Sequence, residues 1–408
     1  MNELGLLSKA QYVCSNSGAT WVTMPLAAKQ LLMKKENDTI LDYEEYLGKY
    51  LEPEQIKGTD KELGIIGTIL RDANILKDRV TQYDMNLTLA NFTAWVESID
   101  ENFVQPMGLT PDRDLLLDMA NAYLWNDPQA KRLDENTFPF PIFVATAYPD
   151  VKEPNIAVPF EFTPLYFGIP IDPHKLYNNP DLNCSGGYTQ SFAFNTDVSN
   201  VNLPGCPSFS QPQYPLHLYQ LPLPKKVVKA AEMTGISSSF FAAAQVETGW
   251  NLDRILRYIP FLPNFLKQFP NAESYKYWSP MDAKDSTQLE FCDGGLFDNT
   301  GVLGLLRRGC KTIIACVSSD SAVVTGDPQT SFADIAALFG MAKDSGPKSK
   351  IGSPNMMQVF ESSKWDDLLA QLKKKYNAGE PQVCKMNLEV TPNVHAGIYE
   401  SGTVEVYF

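Results

Sequence analysis

An α/β fold with a mainly parallel central sheet, carried in one large domain, is what this 408-residue chain predicts. Three observations predict it. The stretch "TQLEFCDGGLFDNTGVLGLLRRGCKTIIACVSSD" reads strand, tight loop, short helix, strand, the alternation of a parallel βαβ unit. Near the start, "QYVCSNSGATWVTMPL" runs from strand through turn to helix start. Finally, a composition 44% apolar and 11% aromatic supplies a sizeable core, and neither an internal repeat nor a linker divides it.

Taken in order, residues 1–26 give a helix end, a short strand, a turn and a helix that Pro25 limits. Residues 39–132 are mostly helical by pattern, as in "DKELGIIGTILRDANILKDRV" with apolar residues three and four apart, and form a helical insertion. Thr110-Pro111-Asp112 has the cap, proline and acid of a helix start. Two strand-like pieces follow, "FPFPIFVATAY" and "IAVPFEFTPLYFG". Residues 170–224 hold nine prolines and little periodicity, which reads as a lid-like loop. Helical pattern returns over 225–268, "DDLLAQLKKKY" is helical, and the chain ends on a strand, "GTVEVYF".

The net charge of −14 argues against a nucleic-acid partner and against steady adhesion to an anionic membrane, leaving transient apolar contact open. No run reaches transmembrane length, and "MNELGLLSKAQ" lacks the features of a signal peptide. Seven cysteines without metal-type spacing, several in apolar runs, read as reduced buried thiols and favour a cytoplasmic setting. Secretion is the alternative if a signal peptide lies upstream of Met1. Asn37, Asn86, Asn91 and Asn183 each begin an N-x-S/T triplet, a pattern common by chance. No cofactor and no metal is expected, since acidic turns such as "NNPDLN" read as solvated loops.

Two places carry candidate chemistry. Ser17 lies among small residues after a strand, as in a nucleophile elbow, although the same residues also make an ordinary turn. A base for it is not obvious among His174, His217 and His395; only His395 falls where a Ser, acid, His order would put it. Asp293 ends an apolar strand, and two glycines then let the backbone turn tightly, though Asp-Gly-Gly alone is also a plain turn.

Together these segments resemble the catalytic region of cytosolic phospholipases A2 and fungal phospholipases B (lysophospholipases). "GLLSKAQYVCSNSGATW" is similar to that family's nucleophile region, "FPFPIFVATAYPD" and "VPFEFTPLYFG" to its F-E-F-T-P strand pair, and "FCDGGLFDNTGVLGLLRRGCKTIIACVSSD" to the stretch with its acid. The likeness is ordered and spans Gly5 to about Asp320. It implies a patatin-like acyl hydrolase core over residues 1–408. It further implies a histidine-free dyad of Ser17 and Asp293, an oxyanion donor at Gly18, and hydrolysis of phospholipid or lysophospholipid esters at a transiently contacted membrane or micelle.

The sequence departs from the pattern at Ser15 and Ala19, both small, where the family has a glycine and a serine. The family's glycine-rich oxyanion loop has no counterpart in the sixteen residues before Ser17, so the chain reads as N-terminally incomplete relative to the family. That absence also leaves open a catalytically impaired relative acting as a lipid-binding or scaffold protein.

Overall fold

The computed structural model describes residues 5–35, 48, 96–97, 99–109, 139–149, 156–179, 182, 184–191, 194–195, 228–238, 274–277, 287–317, 332–341 and 357–408. Among these, one sheet contains β1 (Tyr12–Asn16), β2 (Phe140–Tyr148), β3 (Val158–Phe162), β4 (Tyr166–Ile169), β5 (Gly187–Gln190), β6 (Ser274–Tyr277) and β7 (Thr287–Asp293). Its order is β5-β4-β3-β2-β7-β6, with β1 also on β2. A second sheet has β8 (Thr312–Ile314), β9 (Lys385–Val390) and β10 (Gly402–Tyr407) in the order β8-β10-β9.

The expected mainly parallel central sheet of a patatin-like core is not what forms. In the first sheet β1 and β2 are parallel and every other pairing is antiparallel. The sheet curls strongly into a half-barrel. Connection lengths account for three of these pairings, β2 with β3, β3 with β4 and β6 with β7, because a parallel crossover needs about a dozen residues or more. Only Thr163-Pro164-Leu165 join β3 to β4, residues 149–157 join β2 to β3, and 278–286 join β6 to β7. The predicted βαβ unit is divided: β7 lies in the first sheet, while β8 pairs in parallel with β10 in the second.

Both faces of the first sheet are covered, so all nine residues of β2 are buried and show no alternation. On one face Phe143 and Ala145 of β2, Phe160 and Phe162 of β3, and Phe291 of β7 pack with two helices. These are α1 (Thr20–Lys35), through Met24, Ala27 and Ala28, and a short helix at Ala230–Ser237. The other face carries Tyr148 and Cys292 against a short helix at Val302–Leu306, the helix Ser363–Asn377 and the second sheet. Full burial of each large apolar side chain contributes about 1.5–3 kcal/mol.

Several local expectations meet the structure directly. The helix α1 runs ten residues past Pro25, where a break was expected. Proline removes one backbone bond there, and the completely buried Met24, Ala27 and Ala28 offset that loss. Within residues 170–224, Gly187–Gln190 is the sheet edge β5 and Pro173–Tyr177 is helical; the remainder of that lid-like stretch lies outside the described residues. Most of the 39–132 insertion lies outside them too, as do the Thr110 helix start and His217. The six described cysteines form no disulfide, and Cys316, expected inside, is exposed. No described helix is long and apolar enough to cross a membrane.

Candidate active site

Two strands meet tip to tip on one edge of β2. The register sets Asn16, the last residue of β1, opposite Val144, and Asp293, the last of β7, opposite Ala145. Because β1 runs parallel and β7 antiparallel to β2, their C-terminal ends converge. Ser17 and Asp293 therefore come together from opposite directions, although 276 residues separate them, and Ser17 Oγ donates to Asp293 Oδ2 at 2.8 Å.

The turn at Ser17 is an elbow in backbone terms. Ser17 has φ +47°, the left-handed region that a non-glycine residue rarely adopts, and it opens a short 3-10 turn, Ser17–Ala19, that leads into α1. Gly18 therefore sits in the first turn of a helical run, where amides have no acceptor within the helix and the macrodipole is positive. Thr20 Oγ1 donates to the Ser17 carbonyl at 2.6 Å. The departure at Ser15 is accommodated: its hydroxyl bonds Thr23 Oγ1 at 2.7 Å, joining strand to helix, while the unusual φ falls on Ser17 instead.

Asp293 is held as firmly. Its Oδ1 accepts from Gly295 N at 2.7 Å, and its carbonyl accepts from Thr146 Oγ1 at 2.9 Å. Gly294 has to be glycine, since a Cβ there would lie 2.0 Å from the Val144 carbonyl oxygen. Burial pushes Asp293 up to about 6, against the hydrogen bonds from Ser17 and Gly295, which pull it down. A carboxylate of that basicity is ionised at neutral pH yet basic enough to take a proton from a serine.

The raised value has a sign for stability. Below the unfolded pKa, near 3.8, both states are protonated and Asp293 is neutral to folding; as pH rises through about 6 the buried charge disfavours the folded state. Converting the shift gives about 3 kcal/mol lost above pH 6. Asp293→Asn is thus expected to raise the unfolding free energy at pH 7.5 by about 1–3 kcal/mol and to change it little at pH 4, as chemical denaturation at both pH values would read. An equal effect at both pH values would contradict this origin.

Neither described histidine joins the pair. His174 Nε2 bonds the Leu182 carbonyl oxygen at 2.7 Å, and His395 Nδ1 is buried with no hydrogen-bond partner. Among the described residues no cluster of His, Cys, Asp and Glu could hold a metal ion.

Two features escaped the sequence reading. Asn16 Nδ2 donates to the Asp298 carbonyl oxygen at 2.6 Å, tying the elbow to the loop after the acid. Behind the site, Glu161 is completely buried and takes both arginines of "LLRRG": Arg307 Nη2 at 2.8 Å and Arg308 Nη2 at 2.7 Å. Tyr188 Oη reaches the same carboxylate at 2.8 Å across Gly168, where a Cβ would lie 2.1 Å from the Gly187 carbonyl oxygen. Burial pushes Glu161 up, but the two guanidiniums and Tyr188 outweigh it and hold it down at about 2. The adjacent arginines were a visible signal, and so was a glutamate alternating with phenylalanines in a strand.

No family model matches the chain, and no curated protein matches it in sequence.

Proposed function

We propose that this protein is a serine acyl hydrolase acting through a Ser17–Asp293 dyad. The observation that carries the reading is the 2.8 Å hydrogen bond between a strained serine at a helix start and a buried carboxylate of raised pKa. In the first half-reaction Ser17 Oγ attacks the ester carbonyl carbon as its proton passes to Asp293 Oδ2. The negative charge on the carbonyl oxygen falls near the first-turn amides, Gly18 among them. Collapse expels the alcohol, which takes the proton from Asp293, and leaves the acyl group on Ser17. Water then adds by the same route, giving its proton to Asp293, and the fatty acid departs as Ser17 recovers that proton.

Substrate class rests on the ordered likeness of the Ser17, F-E-F-T-P and Asp293 segments to phospholipases A2 and B, so phospholipid or lysophospholipid esters are proposed. The likeness is used for these residues and not for the sheet, which differs. The test is a fluorophosphonate probe with peptide mapping, alongside fatty-acid release from a lysophospholipid. Modification at Ser17 together with release supports the reading. A folded chain in which Ser17 stays unmodified and no fatty acid appears sinks it, favouring a non-catalytic lipid-binding relative. His174→Ala and His395→Ala are each expected to keep turnover within a few-fold of the parent. A thousandfold loss from either, the scale of removing a catalytic group, would replace the dyad by a triad.

A further inference from the structure

We infer, resting on the dyad reading, that Asn16 is a positioning residue: its side-chain amide holds the Ser17 hydroxyl on Asp293 by anchoring the elbow to the loop that follows the acid.

The need for an anchor comes from the sheet. A ladder fixes neighbouring strands along their length, but β1 and β7 meet only at their tips, each bonded to β2 rather than to the other. The Ser17 conformation is also costly, by about 1–3 kcal/mol for a non-glycine residue in that region, and persists only where its surroundings over-determine it. Other bonds secure the two halves separately: Thr20 to the Ser17 carbonyl, Thr146 to the Asp293 carbonyl. Among the described side-chain bonds of the elbow, only those of Asn16 and Ser17 itself cross to the acid's side.

The far end of the anchor is rigid. Asp298 Oδ1 accepts from Thr300 N at 2.9 Å and Gly301 N at 3.1 Å, and Oδ2 from Leu303 N at 3.1 Å. Its own amide donates to the Gly294 carbonyl at 3.2 Å, and Gly294 is pressed against Val144. A closed ring results, from Ser17 to Asp293, Gly294, Asp298, Asn16 and back to Ser17. The residue type fits: asparagine is poor in strands, and a buried amide is unfavourable unless bonded, so its place at the end of β1 follows from this contact.

The test reads Asp293 directly, without relying on turnover. Asp293's shift arises from burial, Ser17 and Gly295, with no charged neighbour contributing, and the Ser17 bond lowers its pKa. Losing that bond therefore moves the carboxyl's titration midpoint to higher pH. The experiment is a ¹³C NMR titration of the Asp293 carboxyl, assigned with Asp293→Asn, in the parent, Ser17→Ala, Asn16→Leu and Asn16→Asp. Leucine removes the donor without adding charge and is the deciding variant. Aspartate also loses the donor, but its own carboxylate would raise the Asp293 midpoint, so it serves only as a second check on folding and labelling. The expected result is an upward midpoint shift in Asn16→Leu in the same direction as in Ser17→Ala. Labelling by the fluorophosphonate probe should slow about ten- to a hundredfold, the scale of a small misplacement of the nucleophile. An unchanged midpoint in folded Asn16→Leu, where Ser17→Ala does shift it, or unslowed labelling of folded Asn16→Asp, overturns the positioning role and leaves the dyad standing. A midpoint that Ser17→Ala itself leaves in place overturns the dyad bond and this inference with it.

Discussion

Asp293→Asn is expected to lower fatty-acid release from a lysophospholipid by about ten-thousandfold, and Ser17→Ala by at least as much, in assays on folded protein. Asparagine keeps the side-chain shape: its Oδ1 can accept from Gly295 N, while its amide nitrogen, which donates and cannot accept, faces Ser17 Oγ. It cannot take the proton, so the serine remains a neutral, weak nucleophile. Loss of activity should coincide with gain of stability above pH 6, because the substitution removes a buried charge. That pairing separates a catalytic aspartate from a structural one, whose removal would lower both. Turnover within tenfold of the parent in Asp293→Asn would refute the assignment.

The second large effect concerns Glu161. Glu161→Ala leaves Arg307 and Arg308, with side chains only 6% and 11% exposed, without their common carboxylate. Breaking a buried pair from one side costs about 3–5 kcal/mol, because an uncompensated charge remains. Equilibrium denaturation should show a loss of that size, and unfolding near 37 °C is the expected outcome in a marginally stable domain. The pH signature follows from the depressed value: stability from Glu161 is fully present above its unfolded pKa near 4.5 and is lost as pH falls toward 2. Glu161→Gln should remove that acid-sensitive part. A variant as stable as the parent at pH 7 would mean the arginines find water or another anion.

The turns at Ser17 and at Asp293 were legible as local pattern, whereas their pairing across 276 residues was expected only from the family likeness. Small residues around Ser17 and two glycines after Asp293 mark turns in which backbone must approach backbone, and Gly294 against Val144 is such an approach. Strand direction was less legible, since β2 is apolar throughout, and a strand buried on both faces reads alike in parallel and antiparallel sheets. The information was nevertheless present in the three residues Thr163-Pro164-Leu165, too few for any parallel crossover. The Asn16 anchor and the Glu161 cluster depend on groups far apart in the chain, at separations of 282, 146 and 147 residues. Local pattern marks Glu161 and the two arginines as unusual residues for their segments but does not record which groups pair.

The tip-to-tip meeting on β2 also has a consequence in time. A ribosome adds roughly 5–20 residues per second, so the 276 residues between Ser17 and Asp293 take roughly 14–55 s to make. Throughout that interval the elbow sequence exists without its base, and the edge of β2 that β7 will cover lacks its intended neighbour. On the proposed dyad reading, the nascent chain is silent toward acyl esters until Asp293 has been added. On that reading, reactivity at Ser17 would arise only once β7 has docked on β2 end to end with β1, and a covalent serine probe would time completion of the sheet.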